Sequence, residues 1–338
     1  MNALRLGIVG FGRLAREYYV PALPTVDGAR LVAVADPLPA SRAAAARLAG
    51  VTVFDDHRAM LERAALDGLL VASPPSTHLA VWEDGARRGL AVFMEKPFVL
   101  SDDLDRLPRP ATAPRLMLDL NRRFWPPYRR IGELVAAGAL GTPVAIDYRL
   151  HTDPDVWSAV TRHRFVSGEG GVLHDLGSLA IDLALQLMGS EPERVAADAR
   201  TVRWAGDHVQ LRLEFRDGSS VSCDLAYDRP PCERLVARGP AGGVLLADPN
   251  MALHHLRNGA RRGLLGGCAD AVAFGYRALR PARRMARASI RDALDAFVRA
   301  GRGTSPFAPG FEDAVRNARL IAVAARAARE RRAVATPP

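Results

Sequence analysis

The stretch GIVGFGRLA, residues Gly7 to Ala15, decides the fold. It continues an apolar run, LRLGIV from Leu4 to Val9, that reads as a buried strand, and it places Gly10, Gly12 and Ala15 at G-x-G-x-x-A spacing. In this pattern the first glycine permits the tight turn, and the second lets a pyrophosphate approach the backbone. The small third residue lets the next helix pack close to the sheet. A helix start offers unpaired N–H groups to phosphates, so Phe11, Arg13 and Leu14 join the two glycines as candidate cofactor contacts. Asp36 ends the next strand, RLVAVAD. A carboxylate there suits a ribose 2′-hydroxyl and repels a 2′-phosphate. NAD is therefore the expected cofactor, with NADP as the alternative because Arg42 follows one turn later.

Outward from this turn, the strands VTVF, GLLVAS, AVFME and RLMLDL alternate with the helical stretches RLAREYYVPAL, ASRAAAARLA, HRAMLERA and THLAVWEDGARRG. Such alternation implies right-handed βαβ units, a doubly wound parallel sheet of Rossmann type over residues 1–121. Past a helix from Tyr128 to Ala137 the pattern changes to long alternating strands, TPVAIDYRLH, ERVAADARTVRW, HVQLRLEFRDGSSVSCDLAYDR and ERLVARGPAGGVLLAD, with a hairpin signal at Asp217-Gly218. One helix, Val172 to Met188, interrupts them, and the last third reads as helix. The expectation for 122–338 is an α+β domain with a large, mostly antiparallel open sheet whose bare face is apolar. The closing helix, 311–332, is a candidate to pack back on the first domain.

Composition narrows the class. With 49% hydrophobic and 25% charged residues in 338, the chain is an ordinary globular protein. The net charge of +9 comes from arginines spread over Ala-rich helices without a recognition motif, which argues against a nucleic-acid partner. The N-terminus has no secretory pattern and no run of 18 apolar residues occurs. Cys223, Cys232 and Cys268 are odd in number and lack metal-ligand spacing, as does the pair His254-His255. A cytoplasmic protein with reduced thiols and no metal is expected.

Of the 46 lysines and arginines, Lys96 is the one lysine. It lies in AVFMEKPFVL, just past a strand. An arginine stays charged at every relevant pH, whereas a half-buried amine can orient an alcohol and exchange its proton. Taken in order and spacing, GIVGFGRLA, VASPPSTH, EKP and GEGGVLHDLGSLAIDLA resemble the Gfo/Idh/MocA oxidoreductases, the family of glucose–fructose oxidoreductase and inositol dehydrogenase. The resemblance implies that Ser73, Pro74, Pro75 and His78 lie along the cofactor. It also implies that Glu95, Lys96 and Pro97 form a motif, with a cis peptide, whose lysine faces substrate and nicotinamide. Asn121 and Arg123 match positions near nicotinamide and substrate, and Asp175 matches a substrate-facing aspartate. Lys96 and Asp175 are the expected catalytic pair. Trp157, Arg164 and His174, in the loop and helix start around Asp175, are expected substrate contacts.

The implied activity is hydride transfer between nicotinamide and a secondary hydroxyl or ketone of a small sugar, cyclitol or polyol. A homodimer or homotetramer is expected, with no membrane partner. One departure stands out. The family helix carries a histidine four residues after the aspartate, and here that position is Leu179. Lys96 and Asp175 then carry the acid–base work, or another histidine (His151 or His163) substitutes, or the redox step is lost. An enzyme that uses bound NAD catalytically, oxidising and then reducing again, is the further alternative.

Overall fold

The computed structural model describes residues 3–107, 114–152, 171–204, 206–241, 243–247, 253–257, 260–263 and 282–336. The chain divides into two compact units, residues 1–120 with 287–318 and residues 121–286 with 319–338. Residues 287–310 join the first unit in addition to the start of the closing helix, 311–318.

The first unit contains β1 (Leu4–Val9), α1 (Val20–Ala22), β2 (Ala29–Ala35), α2 (Pro39–Ala45), β3 (Thr52–Phe54), α3 (His57–Arg63), β4 (Gly68–Val71), α4 (His78–Arg87), β5 (Ala91–Met94) and β6 (Leu116–Leu118). Its sheet has the order β3-β2-β1-β4-β5-β6, and every pairing is parallel. β4 and β5 are buried at every residue, as strands covered on both faces must be. The strand order reverses between β1 and β4, so the carboxyl ends of these strands flank a crevice of the kind that receives dinucleotides. Between β1 and β2 the helix is irregular, a π turn at Ala15–Tyr19 followed by α1 and a 3-10 turn at Leu23–Thr25. Pro21 and Pro24 lack the N–H donors that a regular ladder would use.

The second unit contains α5 (Pro126–Ala136), β7 (Ala145–His151), α6 (Gly171–Met188), β8 (Arg194–Arg200), β9 (His208–Glu214), β10 (Ser220–Ala226), β11 (Cys232–Arg238), β12 (Gly243–Ala247), β13 (Leu253–Arg257), β14 (Ala260–Gly263) and, at the end of the chain, β15 (Val334–Ala335); α7 (Ala282–Gly301) and α8 (Phe311–Glu330) are divided between the units. Most of α7 and the start of α8 fall in the first unit. Phe311, Ala314 and Val315 enter that unit's core, and Leu320, Ile321 and Ala324 enter the core of the second.

The nine-stranded sheet runs β14-β13-β12-β11-β7-β10-β9-β8-β15. Only the β7–β10 pair is parallel among the described pairings. The strands β13 and β14 are additions to the sequence reading, because HHLRNGARRG has no apolar alternation to announce them. α6 is long and apolar enough to cross a membrane, but 78% of it is buried inside the protein. It is the central core helix, packed with Tyr148, Leu150, Val221 and Leu225. The opposite face of the sheet corrects the expectation of apolar cover. By strand alternation it carries Asp147, Arg149, Arg212, Asp224, Arg234 and Arg238 around a concavity of about 1190 Å³.

Candidate active site

In the first unit the site is built at the carboxyl ends of four adjacent strands. Gly10 has φ +87°, and a Cβ there would lie 2.6 Å from the backbone nitrogen of Ser73. Only glycine lets the turn approach the strand-four loop this closely. Asp36 is 6% exposed. Its Oδ2 accepts the Phe11 N–H at 2.7 Å and its Oδ1 accepts the Leu38 N–H at 2.8 Å. The carboxylate thus holds the glycine turn in shape, and it keeps lone pairs for a further donor. Arg42 donates to the carbonyls of Asp36 and Pro37 at 3.0 and 2.7 Å, which turns its guanidinium to the backbone. Arg13 pairs with Glu17 at 2.7 Å. These groups fit a dinucleotide: a glycine turn free of side chain, a helix start beyond it, and an acid at the end of β2.

His78 is fully buried between two carbonyl oxygens, with Pro97 O 2.8 Å from Nδ1 and Ser73 O 2.9 Å from Nε2. Burial holds its pKa below the usual value, although both carbonyls and Glu95 pull it upward. The ring thus lies between the strand-four loop and the Lys96-Pro97 segment, with a backbone oxygen against each nitrogen, and a neutral ring donates to one of them. Ser73 is half-buried, with its hydroxyl 2.6 Å from that of Thr77. Pro74 is exposed and Pro75 buried.

Glu95 and Lys96 follow β5 directly, both half-buried, and the Lys96-Pro97 peptide is cis. Glu95 accepts the Tyr19 hydroxyl at 2.6 Å. Burial, then the nearby Glu95 and Asp119, push that phenol well above its normal range.

In the second unit Asn121, Arg122 and Arg123 open a 3-10 turn before α5. Arg122 grips Glu233 through two hydrogen bonds of 2.8 and 2.9 Å and donates to Asn121 Oδ1 at 3.0 Å. The hydroxyls of Tyr128 and Tyr148 also donate to Glu233. Arg123 follows on the same turn. It forks onto the buried Asp182 at 2.6–3.0 Å, a bidentate pair that ties the turn to α6.

Asp175 lies near the start of α6 and is 6% exposed, and its Oδ2 accepts the Tyr227 hydroxyl at 2.5 Å. Leu179, one turn on, is buried in the core. His174 is half-buried on the same turn as Asp175. Trp157, His163 and Arg164 lie outside the described residues. His151 does not replace the absent imidazole. It shares the face of β7 that carries Asp147 and Arg149, away from α6, and its Nε2 lies 3.1 Å from Asp224. Tyr227 is the residue that sequence reasoning missed. Its signal was strand parity, since Val221, Cys223, Leu225 and Tyr227 alternate toward the core that contains α6. Cys223 in this row is free, with its thiol pushed up to about 12 by burial. Among the described residues no three ligands gather for a metal.

Comparison with known proteins accounts for both units. Residues 4–112 match a family model described as an oxidoreductase family with an NAD-binding Rossmann fold. Residues 128–245 match the GFO/IDH/MocA C-terminal domain. The rhizopine catabolism protein MocA of Rhizobium meliloti is 31% identical over 240 residues, covering 68% of this chain and 74% of that protein. The inositol 2-dehydrogenase of Rhizobium meliloti strain 1021 is 29% identical over 255 residues, 71% of this chain and 74% of its own. In fold, the WlbA dehydrogenase of Bordetella pertussis, solved with NADH and UDP-GlcNAcA, superposes with a TM-score of 0.83 at 18% identity, covering 100% of this chain and 99% of that one. With the glycine turn, its acid and the lysine past β5 in place, the chain belongs to the Gfo/Idh/MocA family of NAD-dependent oxidoreductases.

Proposed function

We propose that the protein oxidises a ring hydroxyl of a cyclitol or sugar, or reduces the corresponding ketone, with NAD as the hydride partner and Lys96 as the proton-handling group. The observation that carries the reading is this lysine, the only one in the chain, half-buried just past the carboxyl end of β5, with β4 between that strand and β1, which leads into the glycine turn. Relatives that include an inositol 2-dehydrogenase support the substrate class.

When bound, NAD supplies C4 of the nicotinamide as hydride acceptor. Gly10 and the N–H groups from Gly12 to Leu14 would hold the pyrophosphate, with Phe11 tied to Asp36 beside them, Asp36 at the adenosine ribose and Ser73, Pro74, Pro75, Glu95 and Asn121 toward the nicotinamide end. Lys96, acting as the neutral amine, orients the substrate oxygen and takes its proton, becoming the ammonium, as the carbon loses hydride. Asp175 accepts hydrogen bonds from the substrate hydroxyls, with His174 beside it. The protein acts in the cytoplasm as a homodimer or homotetramer.

The test is Lys96→Arg. It should keep NADH binding, read by tryptophan emission, and lose on the order of 100-fold or more in turnover of inositols and sugars at 340 nm. Undiminished turnover would remove Lys96 from the chemistry.

A further inference from the structure

We infer that Tyr227, a phenol carried by the sheet, is a positioning partner of Asp175 in a site whose helix carries Leu179 one turn beyond the acid. The inference rests on the dehydrogenase reading for what Asp175 does, and on geometry for the rest. The Tyr227 hydroxyl donates to Asp175 Oδ2 at 2.5 Å. That is the length of a charge-assisted O–H···O⁻ bond. Both side chains are buried in the second unit.

The two residues are 52 apart in sequence, yet one turn holds both. The backbone N–H of Val172, at the start of α6, donates to Gly206 O at 3.2 Å, and the N–H of Tyr227 donates to Asp207 O at 2.8 Å. Adjacent carbonyls thus anchor the helix that bears the acid and the strand end that bears the phenol. The turn is itself fixed. The Asp207 carboxylate is fully buried and accepts the N–H groups of Val202, Arg203 and Trp204 at 2.6–2.8 Å.

On α6 the position four residues beyond Asp175 is apolar, and Asp182, seven beyond, is taken by Arg123. A buried carboxylate without a donor is costly. Tyr227 supplies one such donor, at Oδ2, and fixes the carboxylate plane. A hydroxyl donated to a carboxylate favours its ionised form. Loss of the hydroxyl therefore moves protonation of Asp175 to higher pH.

The experiment compares wild type with Tyr227→Phe, a change that keeps the ring and its packing. The kinetic arm measures kcat and KM against pH for an inositol with NAD. The expected result is kcat lower by about 10- to 100-fold, unchanged NADH affinity, and an acid limb of kcat/KM moved to higher pH. Unmoved kcat and limb would overturn the assignment. The second arm is independent of turnover and follows the 13Cγ resonance of Asp175 in both proteins as pH falls. A titration moved upward in Tyr227→Phe supports the inference, and an unmoved one overturns it. If wild type turns over no polyol, the dehydrogenase reading falls, and the resonance arm alone decides the role of Tyr227.

Discussion

Asp36 shows how one side chain can serve fold and cofactor together. Its two oxygens satisfy the Phe11 and Leu38 N–H groups, just past the carboxyl ends of β1 and β2. Asp36→Ala leaves two donors without that acceptor in a buried position and should cost about 1–3 kcal/mol, read as a lower urea midpoint at unchanged slope. NAD affinity should fall with it. Lys96 was legible from sequence because a single lysine in an arginine-rich chain needs no geometry to be noticed. Tyr227 was not, because its meaning depends on which face of β10 it joins and on a partner in a separate element. Arg123 is a like case: nothing local in the sequence announces that its guanidinium forks onto a buried carboxylate, Asp182.

At the level of elements, the parallel sheet was readable because βαβ alternation is a local pattern, and each expected strand of the first unit is found. β13 and β14 escaped because sheet membership there comes from pairing with β12, not from local periodicity. Two elements carry predictions. Burial pushes the Asp207 carboxyl upward, but the donated N–H groups of Trp204, Arg203 and Val202 outweigh it and hold the net value below the ordinary carboxylate range. Its contribution to stability is therefore present above the unfolded value, about pH 4, and is lost as pH falls through the depressed folded value. Protection of the Val202, Arg203 and Trp204 amides, corrected for the intrinsic pH dependence of exchange, should fall below about pH 4, and protection already lost well above that pH would contradict it. Glu233 anchors the other element. It accepts from Arg122, Tyr128 and Tyr148, with 14% of its side chain exposed. Glu233→Ala strands a buried guanidinium and should cost about 3 kcal/mol. Replacing Arg122 and Glu233 together by methionine should recover most of it, as a double-mutant cycle in urea would show.

On the scale of the whole molecule, the charge pattern decides how copies of this chain would meet. An apolar sheet face would associate through burial and tighten with added salt. The face found here alternates aspartate and arginine: Arg149 lies 3.4 Å from Asp224, Arg238 pairs with Asp147, and Arg212 reaches Glu214 at 3.0 Å. Such surface pairs contribute little to the stability of one chain, but a rigid field of both signs can steer and register a second copy. If the proposed oligomer forms through this face, association should weaken as ionic strength rises past about 0.15 M, where exposed charges are screened beyond roughly 8 Å. Reversing Asp147 and Arg238 singly should weaken it, and reversing both should restore part of the loss. Light scattering against salt reads the first expectation, and the same measurement on the three variants reads the second. An oligomer that holds its mass from 0.05 to 1 M salt would place its interface on another surface.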